Sequence, residues 1–134
     1  MKYLLDTNIC IYIINRRPPA VLERFDGHPL GALGVSSITA AELAFGVAKS
    51  SSDKNRRALE KFLAPLEVAP FGREAMWAYG TLRAGLERKG RPIGSLDTLI
   101  AAHALALEAT LVTNDVGEFE RVPGLKVENW AKAG

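Results

Sequence analysis

What this 134-residue chain has little of narrows its chemistry first. A single cysteine, Cys10, excludes an internal disulfide and any multi-cysteine zinc site, and it suits a reducing compartment. Standing among isoleucines, Cys10 reads as a small buried hydrophobe. Histidine is scarce too. His28 lies beside Pro29 in a turn and reads as a solvated loop residue; His103 lies inside an apolar helical stretch, with no second imidazole nearby to make a metal site. No apolar run approaches the roughly 20 residues that a membrane-crossing helix needs. The run from Ile9 to Ile14 is bounded by Asp6, Asn8 and Asn15, and Asp6 also interrupts the place where the apolar core of a signal peptide would lie. A cytoplasmic location without membrane association is therefore expected. Strong net charge is missing as well: +2, with a pI near 8.8, permits a nucleic-acid partner without demanding one. The chain has no glycine-rich phosphate loop of the Gly-x-x-x-x-Gly-Lys type, and no serine–histidine or cysteine–histidine pairing placed for nucleophilic catalysis.

What is present is enough apolar matter, 48% of the residues, for one continuous core, and a single domain over residues 1–134 is expected. Tyr3-Leu4-Leu5 reads as a short buried strand, and Asp6 can cap a helix through Ile14 that Arg16-Arg17-Pro18-Pro19 stops. A short helix over 20–25, a strand over 32–35 and a helix through Ala48 follow. A helix over 54–63 comes next, ended by Pro65, then an alternating strand over 66–69. A long helix over 73–89 closes at Gly90. Ser95-Leu96-Asp97-Thr98 opens an almost wholly apolar helix to Leu107, and a helix apolar on every side is buried. A strand over 110–113, a short helix over 117–120 and a last strand over 125–127 complete the chain. Strands alternating with helices imply right-handed βαβ units, hence an α/β fold of three layers, α/β/α, around a mostly parallel sheet.

Four acids stand at suggestive places, although each has a plain structural explanation. Asp6 is a good helix N-cap, Thr39-Ala40-Ala41-Glu42 fits a capping box, Asp97 suits the positive end of a helix, and Asp115 suits a turn. Jointly they say more. Asp6 and Asp115 each follow a strand directly, while Glu42 and Asp97 each fall in the first turn of a helix. In a parallel sheet the carboxyl ends of the strands share one edge, where ligands bind. Carboxylates gathered there repel one another unless a cation compensates them. Oxygen ligands without thiolate or imidazole suit Mg²⁺ or Mn²⁺. Such an ion can position an attacking water and neutralise charge on a phosphate, so the expected chemistry is phosphodiester hydrolysis.

Tyr3-Leu4-Leu5-Asp6-Thr7-Asn8, Ser36-Ser37 with Glu42 downstream, Arg91-Pro92-Ile93-Gly94-Ser95-Leu96-Asp97 before Leu99-Ile100-Ala101-Ala102-His103-Ala104, and Thr113-Asn114-Asp115 followed by Glu118-Phe119 together resemble the PIN-domain ribonucleases. More narrowly they resemble the VapC toxins of type II toxin–antitoxin modules. The resemblance covers essentially the whole chain. It implies a PIN-like fold, dependence on Mg²⁺ or Mn²⁺, endoribonuclease activity that blocks translation, and inhibition by a VapB-type antitoxin. It assigns Asp6, Glu42 and Asp97 as the core catalytic and metal-binding acids. Asp115 occupies a fourth position that is Asp or Asn in the family. Thr7, Asn8, Ser37, Thr113 and Asn114 become groups that orient the carboxylates and metal-bound water. Initiator tRNA is a candidate substrate by the same resemblance, and a homodimer, joined with the antitoxin into a hetero-oligomer, is expected. RNA needs cations for its phosphates, and Arg88, Lys89 and Arg91 lie just before the loop that leads to Asp97. Two other readings remain: a non-catalytic module whose acids attract a basic partner, and a phosphatase of the haloacid-dehalogenase kind. The latter normally requires an Asp two residues after its nucleophile, where this chain has Asn8.

Overall fold

A computed structural model describes residues 1–131. Strand β1 (Tyr3–Leu5) is followed by helices α1 (Thr7–Asn15) and α2 (Pro19–Asp26), then β2 (Leu33–Ser36), α3 (Ser37–Ser50) and α4 (Asp53–Leu63). The remainder is β3 (Glu67–Ala69), α5 (Arg73–Arg88), α6 (Ser95–Leu107), β4 (Thr110–Val112), α7 (Val116–Phe119) and β5 (Val127–Glu128). The sheet runs β3-β2-β1-β4-β5 with every pairing parallel. The expected α/β class and parallel sheet are thus observed.

Strand alternation divides the core in two. Tyr3 and Leu5 point to one face, where Ile9, Ile13, Val21, Leu43 and Leu59 from α1 to α4 pack with Leu33, Val35 and Val112. Leu4 and Leu111 point to the other face, against Leu82 and Leu86 of α5 and Ile100, Ala101 and Ala104 of α6. Three layers follow from that division. Among the described residues no helix is long and apolar enough to cross a membrane.

Gly34, in the middle of β2, is required by crowding. A Cβ there would stand 2.9 Å from the backbone carbonyl oxygen of Glu67 and 2.7 Å from Cε of Met1. The methionine tip can yield; the strand backbone cannot. Gly34→Ala is accordingly expected to destabilise the fold by about 1–3 kcal/mol through overpacking, measured as a lower urea midpoint at unchanged m-value.

Some local expectations are corrected. The Thr39–Glu42 capping box does not form, because β2 passes into α3 without a loop and Ser36 is the cap, its Oγ accepting the Ile38 N–H at 3.1 Å. Thr39 thereby turns inward, and Glu42 falls in the second turn rather than the first. The last strand is Val127–Glu128, two residues later at its start than expected, since Leu125 packs against the α5–α6 core. His28 is not simply solvated: its ring stacks on Trp130 at 5.0 Å and meets the Tyr3 ring at 4.7 Å. Trp130, fully buried, ties the end of the described chain to β1 and α2, with Nε1–H donating to Glu128 at 3.0 Å. Other expectations hold: Asp6 caps α1 by accepting the Ile9 N–H at 2.9 Å, and the chain turns after α5 at Gly90 with φ of 66°.

Candidate metal centre

The strand order reverses at β1, with β2 on one side and β4 on the other. At such a switch point the connections leaving the two strands part to opposite faces and open a crevice at the carboxyl edge. Asp6 is the residue after β1, and Thr113-Asn114-Asp115 follow β4. α6 adds Asp97 from its first turn. A cavity of about 190 Å³ there is lined by Asp6, Thr7, Asn8, Glu42, Leu96 and Asp97, among others.

The acids are arranged unevenly. Asp97, Asp115 and Glu118 each present an oxygen within 4.8 Å of the other two. Asp6 and Glu42 line the cavity together with Asp97 but are not part of that close trio. Asp6 and Asp115 are linked through Thr113: its buried hydroxyl bonds the Asp6 carboxylate and accepts the Asp115 N–H at 3.0 Å. Glu118 is the acid that sequence reasoning missed. The available signal was its position three residues after Asp115, a spacing that puts both on one side of a helical turn. Its Oε1 accepts the Gly94 N–H at 2.7 Å.

Other expected supporting residues have definite partners. Ser37 Oγ accepts the Phe71 N–H at 3.0 Å, fastening the β3–α5 junction. Asn114 donates from Nδ2 to the Tyr12 hydroxyl at 2.9 Å, while its Oδ1 is buried without a protein partner. Thr7 and Asn8 border the cavity. Arg88, Lys89 and Arg91 are exposed at the end of α5 and the start of the loop to α6. His103 is the hydrogen-bonded core residue expected, with Nδ1 2.8 Å from Ser36 Oγ and a further bond to the Pro70 carbonyl.

Crowding shows in the protonation of these groups. Burial raises the pKa of Asp6, opposed by the Thr113 hydroxyl and the Ile9 amide and reinforced by the charge of Asp115. Burial, then the hydrogen bond and negative charge of Glu118, then Asp115 and Asp6, push Asp97 up to about 7. Glu118 moves down, because it accepts from Asp97 and from the Gly94 amide. The two carboxyl groups therefore titrate as a pair, with crowding favouring retention of a proton between them. The ion pairs found among the described residues, Arg24–Glu128, Arg56–Glu60 and Arg83–Glu87, leave all of these acids without a salt-bridged cationic side chain. Oxygen-only donors, held close and lacking such a partner, fit a hard divalent cation.

The folded state holds the Asp97 proton more tightly than the unfolded chain, whose aspartates titrate near their ordinary 3.8. Stability from this group is therefore present at low pH and is lost as pH rises toward about 7. His103, lowered by burial, acts oppositely and costs stability as pH falls below its ordinary 6.5. Asp97 is isolated by subtraction. In chelator, the melting temperature of Asp97→Asn minus that of the wild type is expected to grow between pH 5 and pH 8, and Mn²⁺ should narrow the gap by stabilising the wild type. A pH-independent difference would show that Asp97 is not under this strain.

The sequence profile of the PIN domain matches residues 3–125. The chain is 46% identical to "Ribonuclease VapC2" of Rickettsia felis over 134 residues, covering 98% of this chain and 100% of that protein. It is 41% identical to "tRNA(fMet)-specific endonuclease VapC" of Shigella flexneri, covering 98% and 99% of the two chains. Among solved structures, DNA-bound VapBC from Salmonella typhimurium superposes with a TM-score of 0.91 at 40% identity, covering 97% of this chain and 98% of that one.

Proposed function

Because the chain belongs to the PIN domain family, and within it to the VapC ribonucleases, we propose that it is a divalent-metal-dependent endoribonuclease acting as the toxin of a VapBC-type module. The observation that carries this reading is the closure of Asp97, Asp115 and Glu118 to within 4.8 Å beside the cavity that Asp6 and Glu42 line. Asp6, Glu42, Asp97 and Asp115 hold Mg²⁺ or Mn²⁺, which when bound supplies an activated water and neutralises charge on the scissile phosphate. Thr113 keeps the Asp6 and Asp115 sides in register. A cation bound here would compete with the proton that the Asp97–Glu118 pair retains, so cation affinity should rise with pH. Arg88, Lys89 and Arg91 meet the RNA phosphates.

Initiator tRNA is the substrate suggested by the name of the Shigella relative, and its cleavage would stop translation. The whole of residues 1–134 acts as one domain, in the cytoplasm, as a homodimer joined to the antitoxin. A groove of about 230 Å³ supports the antitoxin assignment: it runs between α1, α3 and α4, lined by Ile11, Ile14, Leu43, Val47 and Ala58, and reaches Thr7 and Glu42. A VapB-type segment laid there carries a basic side chain to the acids and blocks them.

Incubation of purified, antitoxin-free protein with total RNA in Mg²⁺ or Mn²⁺ tests the proposal. Discrete products, absent in EDTA, are expected, and sequencing their ends identifies the target. Folded protein that cuts no RNA would favour a binding module.

A further inference from the structure

The loop from Arg91 to Gly94 sets where α6 begins, and hence where Asp97, at the third helical position, is delivered. Gly94 is the N-cap residue of α6 and has no side chain to cap with. From within α6, Thr98 Oγ1 donates to the Gly94 carbonyl at 2.8 Å and so holds the acceptor side of the loop. The donor side of Gly94 and the Pro92 carbonyl are fastened from outside. The Gly94 N–H donates to Glu118 Oε1 at 2.7 Å, and Arg121 Nη1 donates to the Pro92 carbonyl at 3.1 Å. Glu118 and Arg121 are three residues apart on and just beyond α7, so one side of that short turn grips the loop at two points. A Cβ on Gly94 would lie 3.6 Å from both Asp97 Oδ2 and Glu118 Oε1, so the loop backbone packs directly on this pair of acids.

We infer that Glu118 is a positioning residue, anchoring the 91–94 loop with Arg121 so that α6 presents Asp97, and is not itself a ligand of the cation. The inference rests on the nuclease reading above and adds to it the division of labour within the acidic trio. An amide–carboxylate bond as short as 2.7 Å is charge-assisted and strongly directional. It fixes an α6 entry whose own residues supply no side-chain cap. A carboxylate committed to that amide has less freedom to follow a metal.

Glu118→Gln and Glu118→Ala separate the two roles. Glutamine keeps an oxygen for the Gly94 N–H and gains an amide that donates to ionised Asp97; alanine keeps neither. In metal-free protein, exchange of the Gly94 amide hydrogen should accelerate at least about tenfold in Glu118→Ala and remain near the wild-type rate in Glu118→Gln. Mn²⁺ affinity, read by calorimetry, should fall about 10–100-fold in Glu118→Ala, as for loss of a group supporting a ligand, and be rescued by glutamine. Cleavage should follow the same order, the loss appearing in kcat rather than KM. Arg121→Ala, which leaves every acid in place, should quicken Gly94 exchange in the same direction. Mn²⁺ binding weakened as much by glutamine as by alanine would make Glu118 a ligand and overturn the inference, as would unchanged Gly94 exchange in a folded Glu118→Ala protein. Wild-type protein inert toward RNA would defeat the nuclease reading alone, because exchange and Mn²⁺ binding still decide the anchor.

Discussion

RNA cleavage by Asp97→Asn is expected to be slower than that of the wild type by at least about a thousandfold, or about 4 kcal/mol in the barrier, without loss of the fold. Asp97 sits where α6 meets the acids contributed from β4 and α7, and its charge is the one most opposed by its neighbours. Asparagine has nearly the same shape and can still donate to Glu118, so packing is preserved. It brings no negative charge, and the site loses attraction for a divalent cation. The variant should therefore melt no lower than the wild type in EDTA at pH 8 and respond less to Mn²⁺. Asp6→Ala is a poorer test of the same point. Asp6 also caps α1 through the Ile9 amide, and losing a cap costs about 1 kcal/mol by itself. Asp6→Asn keeps an acceptor and is the better companion. Parallel measurements of single-turnover cleavage and thermal melting decide the matter: a folded Asp97→Asn protein with wild-type activity would remove Asp97 from the catalytic group.

Trp130→Ala is expected to cost about 3–5 kcal/mol of stability, a large share of the roughly 5–15 kcal/mol that a domain has. The indole is completely buried. It covers Tyr3 of the central strand, stacks on His28 and has the Arg24 guanidinium 5.7 Å from its ring. Arg24 also pairs with Glu128 at 3.1 Å, and Glu128 accepts the indole N–H. Removal opens a cavity over β1 and unfastens β5 from α2 at once. Urea denaturation should show a markedly lower midpoint. A change below about 1 kcal/mol would mean that the surroundings collapse into the space.

That Trp130 escaped the sequence reading has a physical reason. It follows the last strand, in a stretch with neither helical nor strand periodicity, and its burial depends on partners more than a hundred positions away. β1 is readable because Tyr3-Leu4-Leu5 is a continuous apolar run, as expected of a strand covered on both faces. α6 is readable because its residues are apolar all round. Asp6 and Asp97 are conspicuous as acids at the ends of such runs. Glu42 is misplaced by one helical turn, since Ser36 serves both as the last residue of β2 and as the cap of α3. Glu118 is obscured in a different way. Its sequence neighbours mark an ordinary short helix, and its importance comes from a backbone amide 24 residues earlier. Local pattern reveals which acids terminate strands; it does not reveal which of them hold backbone and which stand free.

Among the described strands β1 is the first to be made and also the middle of the sheet, and its second neighbour, β4, arrives only at residues 110–112. A ribosome adding about 5–20 residues per second therefore makes the whole stretch from α1 to α6 before β1 can pair on both sides, and before Asp115 exists to join Asp6 and Asp97. A growing chain has no assembled nuclease. Each molecule thus acquires its site only once β4 and α7 have been made, and an inhibitor need only meet chains that have reached that point.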